Sequence, residues 1–305
     1  MDEFSVDATG AKQRLDLFVL AQYPEETRAH VQQWIEAGYV LVNGGPSKSS
    51  LRLREGDTVC VEPAARPPIK AEPEAIPLVV LYEDDDVVVI DKPAGMVVHA
   101  GAGVTSGTLV NALLHRFQTL SSSPDGERPG IVHRLDRFTS GVILAARNDR
   151  AHQSLALQFL ERRVEKVYLA LVHGQFLQKE GVIRKPITRD PANRARMTSR
   201  LREGRAALTN WKVLREFRGY TLLEVRIGTG RTHQIRVHLA NAGHPVVGDR
   251  LYGAPAEPPG LPPPERYFLH ARRIGFSQPT TGEEIVVESP LTADIVAWMN
   301  LLEEH

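Results

Sequence analysis

Cysteine is nearly absent: among 305 residues there is only Cys60. One cysteine excludes an internal disulfide and a cysteine-rich zinc site, and it suits a reducing compartment. Long apolar runs are missing, and nothing approaches the length of a bilayer span. Met1-Asp2-Glu3-Phe4-Ser5 is acidic and polar, unlike a secretory signal, so a cytoplasmic location is expected. Net charge is also lacking, because 37 basic residues balance 37 acidic ones. A nucleic-acid binder usually carries a basic excess, so any polyanion-binding face must come from uneven distribution. Residues 184–205 supply the unevenness, with Arg184, Lys185, Arg189, Arg194, Arg196, Arg200, Arg202 and Arg205 against Asp190 and Glu203. Much of the opposing acid sits in Glu83-Asp84-Asp85-Asp86. A solvated charged loop is the competing reading of the basic segment. Internal repeats and a Gly-rich phosphate loop are absent as well.

What is present is ordinary for a globular chain, 42% apolar and 24% charged, with length for about two domains. Residues 12–64 read as one unit. Leu15, Phe18 and Val19 have helical spacing, and so do Val31, Trp34 and Ile35, with Gly38 as a stop. Tyr39-Val40-Leu41-Val42 and Thr58-Val59-Cys60-Val61 read as strands, and Asn43-Gly44 as a tight turn. Residues 65–77 hold Pro67, Pro68, Pro73 and Pro77 and read as a semi-rigid linker. From 78 to 305 strand-like runs such as Val87–Ile90 and Tyr220–Val225 dominate without a βαβ rhythm. Thr108–Phe117 looks helical and Pro255–Pro264 reads as an exposed loop. A mixed α+β domain fits this pattern.

The densest chemistry lies in His133-Arg134-Leu135-Asp136-Arg137-Phe138-Thr139-Ser140-Gly141. Apolar Gly130-Ile131-Val132 precedes it and Val142-Ile143-Leu144-Ala145-Ala146 follows. A carboxylate between buried segments needs a partner or a task, because an unpaired buried charge is costly. Organising a turn through its side chain would be such a task.

This motif resembles the nucleophile motif of the RluA-type pseudouridine synthases, with Asp136 at the position of the essential aspartate. Other segments match in order. They are Tyr82-Glu83-Asp84 with Asp91–His99, Lys166–Gly174 around Tyr168, Gly230–His238 around Arg231, Gly248–Gly253, Leu269-His270-Ala271 and Thr281-Gly282-Glu283. The N-terminal unit resembles the small S-four-type RNA-binding module through Arg14-Leu15-Asp16, Arg28, Gln32, Val42-Asn43-Gly44 and Arg54-Glu55-Gly56-Asp57. The resemblance implies an S-four-type module over 12–64 and a catalytic domain over 78–305 with a mixed, mainly antiparallel β-sheet.

It also implies chemistry. Uridine becomes pseudouridine when the C1′–N1 bond breaks, the base turns, and C5 rejoins the sugar. A carboxylate near the sugar is required, as in a retaining glycosidase. Asp136 would supply it, by bonding the sugar, adding to the base, or taking a sugar proton. Family analogy makes Arg231 the guanidinium that keeps it ionised and oriented. Tyr168 would lie against the base and assist loss of the C5 proton, and Ile235 would pack beneath it. A base in paired or stacked RNA must flip out, and Arg134 resembles the side chain that fills the gap. Arg28 and Arg196 are further candidates for RNA contact. An isomerisation needs neither cofactor nor metal. The segment Val98–Gly103, with Gly107–Leu114 and Arg128–His133, looks like the large-subunit rRNA synthase D subgroup. The expected partner is thus 23S rRNA, at several uridines of one stem-loop, or the assembling large ribosomal subunit, bound by a monomer. Other 23S sites or tRNA are the alternatives. Phe138 departs from the family, which often has an acidic or amide residue there.

Three other classes fit less well. A metal hydrolase could use His233 and His238, but their spacing is wrong for a His-Glu-x-x-His helix. An N-glycosidase or nuclease would release base or shorten RNA. A non-catalytic RNA-binding or assembly protein has no use for the Asp136, Tyr168 and Arg231 set.

Overall fold

The computed structural model describes residues 1–23, 26, 28–63, 71–101, 104–117, 120–121, 128–193, 195–255 and 260–304. The side chains of residues 28–30 lie outside the description. The chain forms two compact units, Met1–Pro68 and Ile69–His305.

In the first unit β1 (Asp2–Ser5), α1 (Leu15–Gln22), α2 (Arg28–Glu36), β2 (Val40–Val42), β3 (Gly45–Pro46) and β4 (Thr58–Val61) follow in order. The strands make one antiparallel sheet in the order β1-β4-β2-β3. Leu15, Val19, Val31, Val40, Val59 and Val61 are buried at its centre. Asn43 and Gly44 both have positive φ, 51° and 76°, as the tight β2–β3 hairpin requires. Asp16 is wholly buried and takes Arg14 Nε at 2.9 Å and Gln32 Nε2 at 2.7 Å, which ties α1 to α2. The unit starts earlier than residue 12, because β1 pairs with β4. Its side chains are mostly exposed, so no apolar alternation announced it.

The expected linker over 65–77 is shorter on its catalytic side. Residues 64–70 lie outside the description, but Glu72 and Glu74 are already anchored. Asn111 Nδ2 donates to Glu72 O at 2.7 Å, and the Glu74 carboxylate accepts from Gly107 N at 3.0 Å. Part of the loop expected over Pro255–Pro264 also lies outside the description.

The second unit runs β5 (Val79–Glu83), β6 (Val87–Lys92), α3 (Leu109–Arg116), β7 (Ser140–Ala146), α4 (Asp149–Leu160) and β8 (Glu165–His173). Then come β9 (Glu180–Arg184), β10 (Thr188–Arg189), β11 (Met197–Thr198), β12 (Leu208–Phe217) and β13 (Tyr220–Ile227). Helix α5 (Gln234–Asn241), a 3₁₀ turn (Arg250–Tyr252), β14 (Leu269–Ser277), β15 (Glu284–Glu288) and α6 (Ala293–Glu304) complete it. The main sheet has the order β5-β6-β7-β14-β8-β13-β12-β9, with β15 on β14. All its pairs are antiparallel except β7 with β14. Every residue of β7 is buried, which accounts for the unbroken apolar run after the Thr-Ser-Gly turn.

Register brings the motifs together. Tyr168 on β8 lies opposite Val225 of β13 on one side and Ala271 of β14 on the other. Ala271 in turn pairs with Gly141 at the start of β7, just after the Asp136 loop. Strand β13 then runs directly into the loop 228–233 that opens α5. Four motifs distant in sequence therefore meet along one edge of the sheet.

Candidate active site

Asp136 sits in the turn before β7, closed by Thr139 N donating to Asp136 O at 3.1 Å. The loop is held from behind by Lys92. Its fully buried ammonium donates to Pro93 O, Met96 O and Arg137 O at 2.8, 3.0 and 3.1 Å. Burial, helped by Arg266, pushes the Lys92 amine down to about 7, against the pull of Asp136 and Asp91. His133 is structural: its Nε2 accepts Leu144 N at 2.9 Å, and its ring stacks on Phe159 at 4.8 Å.

The guanidinium on the Asp136 carboxylate is Arg236, not Arg231. Arg236 Nη1 lies 3.2 Å from Asp136 Oδ2. Its other donors grip Asp249 in a fork, Nε to Oδ2 at 2.6 Å and Nη2 to Oδ1 at 2.9 Å. The rings of Tyr267 and Tyr252 flank it at 4.0 and 5.1 Å. Burial works to lower the Arg236 pKa, but the Asp249 hydrogen bonds and surrounding negative charge outweigh it and raise it. A planar guanidinium so held has one donor edge left to present to a carboxylate. Arg231 points elsewhere: its Nε donates to Ala206 O at 3.3 Å, though it still lines the pocket. The reason is the bend at α5. Arg231 precedes the helix, whereas Arg236 lies on its buried side.

His233 makes that bend, with a left-handed φ of 55° at the α5 N-cap. Non-glycine residues pay for this conformation in strain, a pattern concentrated at functional sites. Tyr252 Oη accepts Met197 N at 2.9 Å and is hydrogen-bonded to His233 Nδ1 at 2.8 Å. The other ring nitrogen, Nε2, lies 4.0 Å from Asp136 Oδ2. Burial keeps the His233 pKa below its ordinary value despite Asp136, so the ring is neutral at neutral pH. Gln234 staples the preceding loop, accepting Thr229 Oγ1 at 2.7 Å and Arg231 N at 3.1 Å, while donating to Leu208 O at 2.9 Å.

Asp136, Tyr168, Arg231, Arg134 and Ile235 all line one pocket of about 80 Å³. Tyr168 and Ile235 form its buried wall. Burial, and then the charge of Asp136, raise the Tyr168 phenol above its ordinary value, so it is protonated at neutral pH. A protonated phenol is a contact and hydrogen-bonding group rather than a ready base. Arg134 is exposed at the mouth, where the pocket opens into a groove of about 700 Å³. Arg196 does not reach the pocket. Its guanidinium lies 5.5 Å from the Tyr252 ring and 4.0 Å from Asp190. The Arg28 side chain is outside the described residues. His238 does not line this pocket: Nδ1 is bonded to Thr209 Oγ1 at 2.8 Å and Nε2 to Lys185 O at 3.0 Å. Within the synthase reading, the sequence assigned no role to Arg236, Asp249, His233, Tyr252 or Tyr267. The first four lie in segments already matched to the family, which was the available signal; Tyr267 lies outside them.

Residues 86–241 match the RNA pseudouridylate synthase family, and residues 13–59 match the S4 domain. An RNA pseudouridine synthase of Aquifex aeolicus is 46% identical, over 99% of this chain and 97% of its own length. A ribosomal large subunit pseudouridine synthase D of Xanthomonas campestris is 42% identical, covering 98% and 92%. Among solved structures, human RNA pseudouridylate synthase domain containing 1 superposes with a TM-score of 0.58 at 27% identity, over 80% of this chain and 98% of that one. With an S4 domain ahead of a mainly antiparallel catalytic sheet, this chain belongs to the RluA-type RNA pseudouridine synthases, isomerases related to ribosomal large subunit pseudouridine synthase D.

Proposed function

We propose that this enzyme isomerises uridines in one stem-loop of 23S rRNA, with Asp136 as the reacting carboxylate. The observation that carries the reading is Asp136 at the lip of a small apolar-walled pocket, gripped by an Arg236 that is itself immobilised. A carboxylate positioned in advance needs no reorganisation when charge develops at the sugar. Tyr168 and Ile235 wall the pocket that would take a flipped uracil, and Arg134, exposed at its mouth, would fill the vacated stack. In the reaction C1′–N1 breaks, C1′–C5 forms, and the C5 proton is replaced by one on N1, with no net redox change. Arg231 at the pocket rim is assigned to a phosphate or to the substrate itself, and Arg28 and Arg196 to RNA outside the pocket. The 23S target is supported by the similarity, over 98% of this chain, to a ribosomal large subunit pseudouridine synthase D.

The test is tritium release from 23S rRNA transcribed with uridine labelled at C5, comparing wild type with Asp136→Asn. Release by wild type alone, with RNA length unchanged and no free uracil, is the expected result. Release from tRNA and none from 23S rRNA would overturn the target and keep the chemistry. Equal release by Asp136→Asn would remove the carboxylate from the reaction.

A further inference from the structure

Beyond the pocket, the groove presents a residue that the isomerisation itself does not use. Phe138 follows Asp136 by two positions, is 42% exposed, and lines the groove with Arg134, Arg137 and Arg250. An exposed phenyl group is ordinarily free to move, but this one sits on a pinned backbone with two side chains beside its ring. Its carbonyl accepts Arg266 Nη1 at 3.2 Å. Arg266 is buried and locked to Asp294 by Nε at 2.7 Å and Nη2 at 3.1 Å, and to Thr292 Oγ1 at 2.7 Å. The Tyr267 ring meets the Phe138 ring at 6.3 Å and 83°. The Arg137 guanidinium lies 5.3 Å from the ring centroid and is tied to Gly95 O at 3.1 Å. An exposed aromatic surface lining a groove with several guanidinium groups combines the two elements that hold single-stranded nucleic acid, a stacking face and phosphate-binding charge.

We propose that Phe138 is a stacking shelf for the nucleotide next to the isomerised uridine. The preferred substrate is then an RNA whose neighbouring base is unpaired, or leaves its own stack, when bound. The inference rests on the RNA-isomerising reading above and deepens it.

The experiment places 2-aminopurine on either side of the target uridine, in the RNA that the wild type turns over. It compares wild type, Phe138→Ala and Phe138→Tyr for fluorescence and for tritium release. Stacking predicts quenching at one flank in wild type and in Phe138→Tyr, lost in Phe138→Ala, with kcat/KM down about tenfold. An abasic site at that flank should slow the wild type by the same factor and leave Phe138→Ala no slower. Unchanged kcat/KM and quenching in Phe138→Ala would overturn the shelf, as would a loss that the abasic site does not reproduce. Wild-type turnover separates the two failures. Turnover indifferent to Phe138 sinks the shelf alone, whereas no tritium release from any RNA sinks the isomerisation reading and the shelf with it.

Discussion

Two arginines, 231 and 236, belong to one short motif, and only their side-chain directions tell them apart. Arg236 carries the Asp136 contact and the Asp249 fork. Lysine at 236 would keep a charge but lose the fork, leaving Asp249 buried without its partner. Arg236→Lys is expected to lower kcat by about 100-fold or more, about 2.7 kcal/mol of barrier, while Arg231→Ala loses less than about tenfold. Single-turnover tritium release measures both, and the reverse ranking would return the central role to Arg231. His133 shows a different residue-scale effect. Burial, with Lys166 nearby, pushes its pKa down to about 3, against about 6.5 in an unfolded chain. Between those values the unfolded state binds the proton and the folded state does not. Stability is therefore complete above about pH 6.5 and declines as pH falls toward 3. Calorimetry at pH 7 and pH 5 should show a larger drop in Tm for wild type than for His133→Gln; equal drops would deny His133 this part.

Elements are joined most closely where β7 meets β14. Gly141 has φ of +104°, and a Cβ there would stand 2.1 Å from Ala271 O. Both the backbone conformation and the space exclude a side chain. Gly141→Ala is expected to cost more than about 3 kcal/mol in urea unfolding, since the parallel pair must part. Activity should fall with it, because the Asp136 loop and the Tyr168 strand share that pairing; a cost below 1 kcal/mol would show that the sheet yields easily. Strands β6 and β13 were readable from their apolar runs, and helix α3 from the helical look of Thr108–Phe117. Helix α5 was not. Ile235, Val237 and Leu239 alternate with Arg236 and His238 as in a strand, yet the segment is a helix buried on nearly all sides. Its polar residues are tolerated inside because Asp249, Thr209 and Lys185 O satisfy them. The basic run 184–205 also hid short strands, β10 and β11, which at two residues each are too short to show an alternation.

For the molecule as a whole, zero net charge conceals a local basic surface. Arg200 Nε reaches Asn241 Oδ1 at 3.2 Å and Lys185 O meets His238, so the basic segment packs along α5, the helix that carries Ile235 and Arg236. The S4 domain adds a second RNA-binding element at the other end of the chain. Deleting residues 1–64 is expected to weaken binding to 23S rRNA by tenfold or more, as an order of magnitude, and to flatten its salt dependence. Turnover on a short stem-loop should persist. Filter binding from 50 to 200 mM salt provides the measurement, and unchanged affinity would remove the domain from substrate capture. Among the described residues no helix is long and apolar enough to cross a membrane.

The sequence determined the mixed α+β class and the N-terminal module, and its resemblance to a known family pointed to Asp136, Tyr168 and Ile235, which the folded chain brings into one pocket. The motifs that carry the resemblance are local runs of residue types, which a linear reading can detect. Tertiary structure decided which arginine holds the carboxylate, because Asp136 and Arg236 are 100 positions apart and meet only through the sheet register and the turn at His233. It decided, too, that Tyr168 is a protonated wall, that Lys92 braces the Asp136 loop, and that Phe138 stands exposed beside the groove. An ion pair, a displaced pKa and a stacking face depend on distance, direction and burial, and these exist only once the chain is folded.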